Sequence, residues 1–190
     1  MNLVIFGPPG AGKGTQSGYI VKKYNLFQIS TGELLRNEIK NQTKLGIEIS
    51  SIINSGSLVS DEIVSNIIQK FISDKSYKDK LIFDGYPRNL AQARNLDNLL
   101  KKNDQKIDIV LKLSVSLETI KKRILERKTM EKRPDDNEEI AIKRYETYEK
   151  NIKPVIDFYK DTGLLKIVNG EATISEINVE ISELIESIKG

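Results

Sequence analysis

Leu3-Val4-Ile5-Phe6, followed at once by Gly7-Pro8-Pro9-Gly10-Ala11-Gly12-Lys13-Gly14-Thr15, decides how this chain folds. Four consecutive apolar residues suit a strand covered on both faces, and the next nine make a glycine-rich turn that opens a helix. Such a turn aims backbone N–H groups and a helix N-terminus at one point, which an anion fills. The spacing from Gly7 to Gly12-Lys13 satisfies most of the Walker A pattern, with Lys13 placed to reach the β- and γ-phosphates of a nucleotide. Gly14 stands where that pattern has Ser or Thr, and Thr15 follows one position later as the nearest hydroxyl. A purely structural turn is the bland alternative. Four glycines, two prolines and a lysine in this order after a strand weigh against it.

Working outward, short apolar runs at 27–29, 80–83, 109–113 and 165–168 alternate with amphipathic stretches. Two helical stripes stand out, one through Ile63, Ile67, Ile68 and Phe71 and one through Ile174, Ile177, Ile181 and Ile185, with Ser60 and Thr173 as candidate N-caps. This alternation predicts an α/β chain, a three-layer P-loop fold with a five-stranded parallel sheet flanked by helices. Ligands in such a sheet bind beyond the carboxyl ends of the strands, so the loops after Phe6, Ile29 and Phe83 should face one cleft. Residues 31–59, helical without an intervening strand, and the polar turn 128–136 do not fit the alternation and are expected to stand over that cleft.

The 190 residues form a single domain on this reading, 38% hydrophobic and 30% charged, in the range of soluble proteins. No apolar run approaches the roughly 20 residues of a membrane span, and none resembles a secretory leader, which predicts a cytoplasmic protein. The absence of cysteine and histidine excludes disulfides, thiolate zinc and imidazole chemistry. What remains is Lys, Arg, carboxylates, hydroxyls and a hard cation. A net charge of +3 invites a nucleic-acid partner, but basic and acidic residues interleave along the chain, as they do on solvated helices.

Candidate chemistry follows the strands. Thr31 and Gly32 begin a helix that carries Arg36, and these are equally well a cap and a surface charge. Asp84 closes a buried strand at the ligand edge, where a carboxylate suits Mg²⁺ held through water beside phosphates. In Gly85-Tyr86-Pro87-Arg88, the Arg88 fork matches a phosphate, and Gln92, expected one helical turn away on the same face, can read a base edge. Arg123 and Arg127 flank the apolar face of Leu117, Ile120 and Ile124, with Arg133 and Arg144 following. If these arginines converge, they neutralise charge on a transferring phosphoryl group.

Taken together, these motifs resemble the adenylate kinases over essentially the whole chain, in the form with a short lid. Gly14-Thr15 fits the Gly-Lys-Gly-Thr version of the loop found in nucleoside monophosphate kinases. The resemblance implies that ATP is bound by Gly10, Ala11, Gly12, Lys13, Gly14, Thr15, Arg123, Arg127 and the backbone of Ala172. It implies AMP at Thr31, Arg36, Ser57, Leu58, Val59, Gly85, Tyr86, Pro87, Arg88 and Gln92, with Arg133 and Arg144 spanning the phosphates. Lys13, Arg88, Arg123, Arg133 and Arg144 would be catalytic, and Asp84 would meet Mg²⁺ through water, with no zinc. Residues 30–59 would be the AMP-binding arm and 126–136 the lid of a monomer whose partners are ATP, AMP and ADP. A UMP/CMP kinase is the nearest alternative, and Thr31 and Gln92 favour AMP over it. A regulatory P-loop module would not need the arginines, and a simple ATPase would need a residue to position water.

Overall fold

The computed structural model describes residues 1–131 and 138–189. Strand β1 (Leu3–Phe6) leads through the glycine-rich turn into α1 (Lys13–Tyr24), then β2 (Phe27–Ser30), α2 (Thr31–Lys40), α3 (Lys44–Asn54) and α4 (Asp61–Ser73). A short 3-10 helix at Lys75–Tyr77 precedes β3 (Leu81–Asp84) and α5 (Leu90–Lys102). The chain continues through β4 (Ile109–Ser114), α6 (Leu117–Glu131), α7 (Glu138–Asp161), β5 (Leu165–Asn169) and α8 (Ile174–Ser187).

The five strands form one parallel sheet in the order β2-β3-β1-β4-β5. Because side chains alternate across a strand, β1 feeds two cores. Val4 and Phe6 pack with Ile68, Leu96, Val155 and Tyr159 on one face, while Leu3 and Ile5 pack with Ile20, Leu111 and Ile181 on the other. Layers of α4, α5 and α7 and of α1 and α8 cover the sheet accordingly. All four β1 residues are buried, which is why the run lacks a polar position. Buried Asn2 ties the far end of the sheet: its Oδ1 accepts from the Leu81 N–H, and its Nδ2 donates to Gln105 Oε1. Ile5 pairs with Asp84 across β1 and β3, so the turns after these strands emerge side by side. Such a crevice, where successive connections leave in opposite directions along the sheet, is where parallel sheets bind ligands.

The expected strands are present, and β2 to β5 each run one residue further than the apolar pattern indicated. The added residues are Ser30, Asp84, Ser114 and Asn169, all polar. The hydrogen-bond ladder continues to the lip of the cleft, where side chains no longer need to be apolar. Ser60 Oγ accepts from the Ile63 N–H, and Thr173 forms a full capping box with Glu176, so both expected caps stand.

Three local expectations change. Thr31 is the first residue of α2 rather than its cap, because its hydroxyl donates to the Gly85 carbonyl 3.1 Å away. Arg88 precedes α5 instead of lying on it, since Asn89 caps that helix by accepting from the Gln92 N–H at 2.8 Å. Residues 128–131 continue α6 and are not a turn, while 132–137, with Arg133 and the rest of the expected lid, lie outside the described residues.

Candidate active site

The glycine-rich turn is shaped by its backbone. Gly10 has φ +86°, and a Cβ there would come within 3.1 Å of Ile124 Cγ1 and 3.3 Å of the Ile120 carbonyl oxygen. The turn therefore rests directly on α6, the helix that carries Arg123 and Arg127. Arg123 spans the gap: one guanidinium nitrogen donates to the Ala11 carbonyl at 3.4 Å and the other to Gly170 at 2.9 Å. Lys13 folds over the turn, its ammonium donating to the carbonyls of Gly7 at 2.8 Å and Pro8 at 3.0 Å.

Two cavities open here. The first is lined by the turn from Pro9 to Gln16, by Gln28 within β2 and Asp84 at the end of β3, and by Arg36, Arg88, Arg123, Arg127 and Arg144. Gly10, Ala11, Gly12, Lys13, Gly14 and Thr15 thus all stand in its wall. The second combines apolar lining from Leu35, Leu58, Val59, Val64 and Ile152 with polar lining from Thr31, Gln92, Ser57 and Arg88. Lys13, Arg36, Gly85, Arg88 and Arg144 belong to both walls. An anionic group passing from one cavity to the other would travel among four cationic side chains.

That crowding is visible in the proton affinities. Burial, opposed by the nearby Asp84 carboxylate and reinforced by the positive charges of Arg88, Arg144 and Arg127, lowers the Lys13 pKa from 10.5 to about 8. Burial and Arg144 likewise bring Arg88 down to about 10, again opposed by Asp84. The site is short of negative charge, as a site built for polyanions is.

Gly85 organises the second cavity. Its φ of +74° is open to glycine, and its carbonyl accepts from Thr31 Oγ1 at 3.1 Å and Arg88 Nε at 2.7 Å. The guanidinium is thereby held at its neck, and Arg88 lines both cavities. Two anticipated residues sit elsewhere. Tyr86 is fully buried beneath the wall, its hydroxyl donating to the Gln92 carbonyl at 3.3 Å, because an aromatic ring gains more from the core than from the cleft. Ala172 packs against the cluster of Val168 and Ile177 and lines neither cavity.

Sequence reasoning missed Gln28, whose Nε2 donates to Asp84 Oδ2 at 2.9 Å, and Leu35, Val64 and Tyr148, which wall the second cavity. A polar residue inside an otherwise apolar strand was the signal for Gln28. Leu35 and Val64 gave none, since cavity and core ask for the same side chains.

A hard cation fits in one way. Asp84, 7% exposed, lines the first cavity near Lys13, and Glu33 and Glu126 also stand in that wall. Among the described residues no group of three or more acidic side chains could cage a metal, so a cation here would take most of its ligands from water and phosphate, as Mg²⁺ does. No helix of the described residues is long and apolar enough to cross a membrane.

The parallel sheet, the glycine-rich turn at its switch point and the paired cationic cavities define a P-loop nucleotide-binding protein. Residues 5–164 match the family model described as Adenylate kinase. Curated proteins named Adenylate kinase are similar throughout: one from Pelagibacter ubique is 42% identical, covering 98% of this chain and 100% of the relative. One from Leptospira biflexa is 43% identical over 96% and 98% of the two chains, and one from Porphyromonas gingivalis 40% identical over 100% and 97%. The chain belongs to the adenylate kinase family.

Proposed function

We propose that the protein reversibly transfers the γ-phosphoryl group of ATP to AMP, giving two ADP, by direct in-line displacement. The wall shared by the two cavities, with Lys13, Arg36, Arg88 and Arg144 in both, carries this reading. A hydrolase needs one nucleotide cavity and a water; two cavities joined by cations suit a donor and an acceptor that are both polyanions.

ATP lies in the first cavity, its phosphates against the backbone N–H groups of 10–15 and the Lys13 ammonium, with Arg123 and Arg127 flanking and the backbone of Ala172 near the adenine. Leaving the carbonyls of Gly7 and Pro8, the ammonium exchanges two neutral acceptors for phosphate oxygens, a stronger partner. AMP lies in the second cavity, its base among Thr31, Leu58, Val59 and Gln92, beside Ser57, Gly85 and Pro87. Its phosphate meets Arg36 and Arg88. Arg144, with Arg133, spans both phosphate groups. Mg²⁺ bound to ATP, held through water by Asp84, would supply further neutralisation of the phosphate oxygens.

Transfer asks the protein for position and charge rather than proton abstraction. The acceptor oxygen of AMP is already anionic, so the lack of histidine is no handicap. Residues 30–59 act as an acceptor arm and 126–136 as a short lid, and their closure excludes water, the competing acceptor. The Lys143 ammonium donates to the Ser55 carbonyl at 2.7 Å, a contact between α7 and the arm that holds it near the core. The same reading carries a cytoplasmic monomer without a nucleic-acid partner, in keeping with the interleaved surface charges.

The test is ADP formation from MgATP with AMP, CMP, UMP and GMP as acceptors. AMP should be preferred. Preference for CMP or UMP would replace the acceptor assigned here, and no turnover with any of them would refute the kinase reading.

A further inference from the structure

Gln92, 4% exposed in the wall of the second cavity, has its amide held at both ends by groups of fixed polarity. Its Oε1 accepts from the Arg88 backbone N–H at 2.7 Å, and its Nε2 donates to Asp61 Oδ1 at 2.6 Å. A backbone N–H only donates and a carboxylate only accepts, so an amide turned end for end would set like against like at both contacts. We propose that Asp61 is a positioning residue for acceptor choice: by fixing which end of the Gln92 amide is the donor, it makes the cavity select a 6-amino purine over a 6-keto purine.

The inference rests on the reading of the second cavity as the AMP site. Each polar atom of the amide keeps one unused capacity, a second N–H on Nε2 and a second lone pair on Oε1. Adenine offers an amino donor at C6 beside a bare, accepting N1. Hypoxanthine, the same ring system, offers a keto acceptor beside an N1–H donor. In a cavity of fixed shape one orientation of the amide complements the first base and the opposite orientation the second. An amide free to rotate would serve both.

Asp61 is itself fixed. Asn89 Nδ2 donates to both of its carboxylate oxygens at 3.0 Å, while Asn89 Oδ1 accepts from the Gln92 N–H at 2.8 Å. Carboxylate, helix cap and amide thus close a ring between the first turns of α4 and α5. Asp61 is solvent-exposed, so its effect is one of orientation, moderated by water. The Arg88 N–H remains as a second lock when Asp61 is removed, so discrimination should weaken rather than vanish.

The experiment compares kcat/KM for AMP and for IMP in the wild-type protein and in Asp61→Ser, Asp61→Ala and Asp61→Glu, with thermal unfolding followed on the same samples. The Ser and Ala variants should lower the AMP-to-IMP ratio about tenfold, as the loss of one hydrogen bond to a charged partner implies, mainly through KM for AMP. Asp61→Glu, which restores a group that only accepts, should recover part of the ratio. Should the Ser and Ala variants fail to fold, Asn89→Ala, which releases the carboxylate from its tether, should move the ratio the same way by less. A purely structural role would lower turnover with both acceptors by one factor and leave the ratio at its wild-type value, which would overturn the proposal. If the wild-type protein itself does not prefer AMP to IMP, the assignment of the cavity fails instead.

Discussion

Thr31, which opens α2, and Arg88, in the turn after β3, donate to the same carbonyl oxygen, that of Gly85, at 3.1 Å and 2.7 Å. This shared acceptor stands in the wall common to both cavities, joining the start of α2 to the turn after β3. A Cβ on Gly85 would lie 3.3 Å from both Thr31 Oγ1 and an Arg88 guanidinium nitrogen, at a φ of +74°. Gly85→Ala should therefore cost about 1–3 kcal/mol of stability in urea titration. It should also raise KM for AMP more than KM for ATP, because both displaced groups face the acceptor.

Arg88→Ala should lower kcat at least about a hundredfold while circular dichroism stays that of the native fold, since a cation aimed at transferring charge is removed. Arg88→Lys should recover only part of this, because an ammonium cannot both hold the Gly85 carbonyl and present a fork to phosphate. Near-normal ADP formation by the Ala variant would count against the role given to Arg88.

The Lys13 pKa of about 8 in the free protein predicts that kcat/KM for ATP falls as pH rises through that value, because the ammonium that binds phosphate is lost. Bound phosphates favour the charged form, so the corresponding limb of kcat should lie at higher pH. Stability carries the opposite sign. Between about 8 and 10.5 the unfolded chain holds a proton that the folded chain has released, so this group makes stability rise with pH across that window. Denaturant titrations of wild type and Lys13→Met should show that rise in the first and lack it in the second.

Helices α2 and α3 cross with almost no room: a Cβ on Gly46 would fall 2.1 Å from the Glu38 carbonyl oxygen. Backbone cannot yield as a flexible side chain would. Gly46→Ala should destabilise the protein by about 1–3 kcal/mol and disturb the acceptor side selectively. Differential scanning calorimetry and separate KM values for AMP and ATP give the check, with a rise confined to AMP expected.

Much of this molecule is legible in its residues where one physical demand acts alone. Leu3 to Phe6 had to be buried on both faces, and Gly10 and Gly12 had to allow positive φ, so strand, turn and sheet type could be read directly. Arg36, Arg88, Arg123, Arg127 and Arg144 were each recognisable as cations, but only the fold brings them to one wall. Arg88 and Gln92 were expected to meet as neighbours on a helix and instead meet through a backbone N–H, because Asn89 starts the helix after Arg88. Contacts set by long-range packing left no local trace: nothing in the spacing of Asp61 and Gln92 announces that they touch.

Whether phosphate passes between two nucleotides is the central claim. Incubation with AMP and ATP labelled at the γ-phosphate, followed by separation of nucleotides and inorganic phosphate, tests it directly. Two ADP should form for each ATP consumed, with the label in ADP and none above background as free phosphate. Label released as inorganic phosphate, at a rate independent of AMP, would mean that the second cavity does not hold the acceptor.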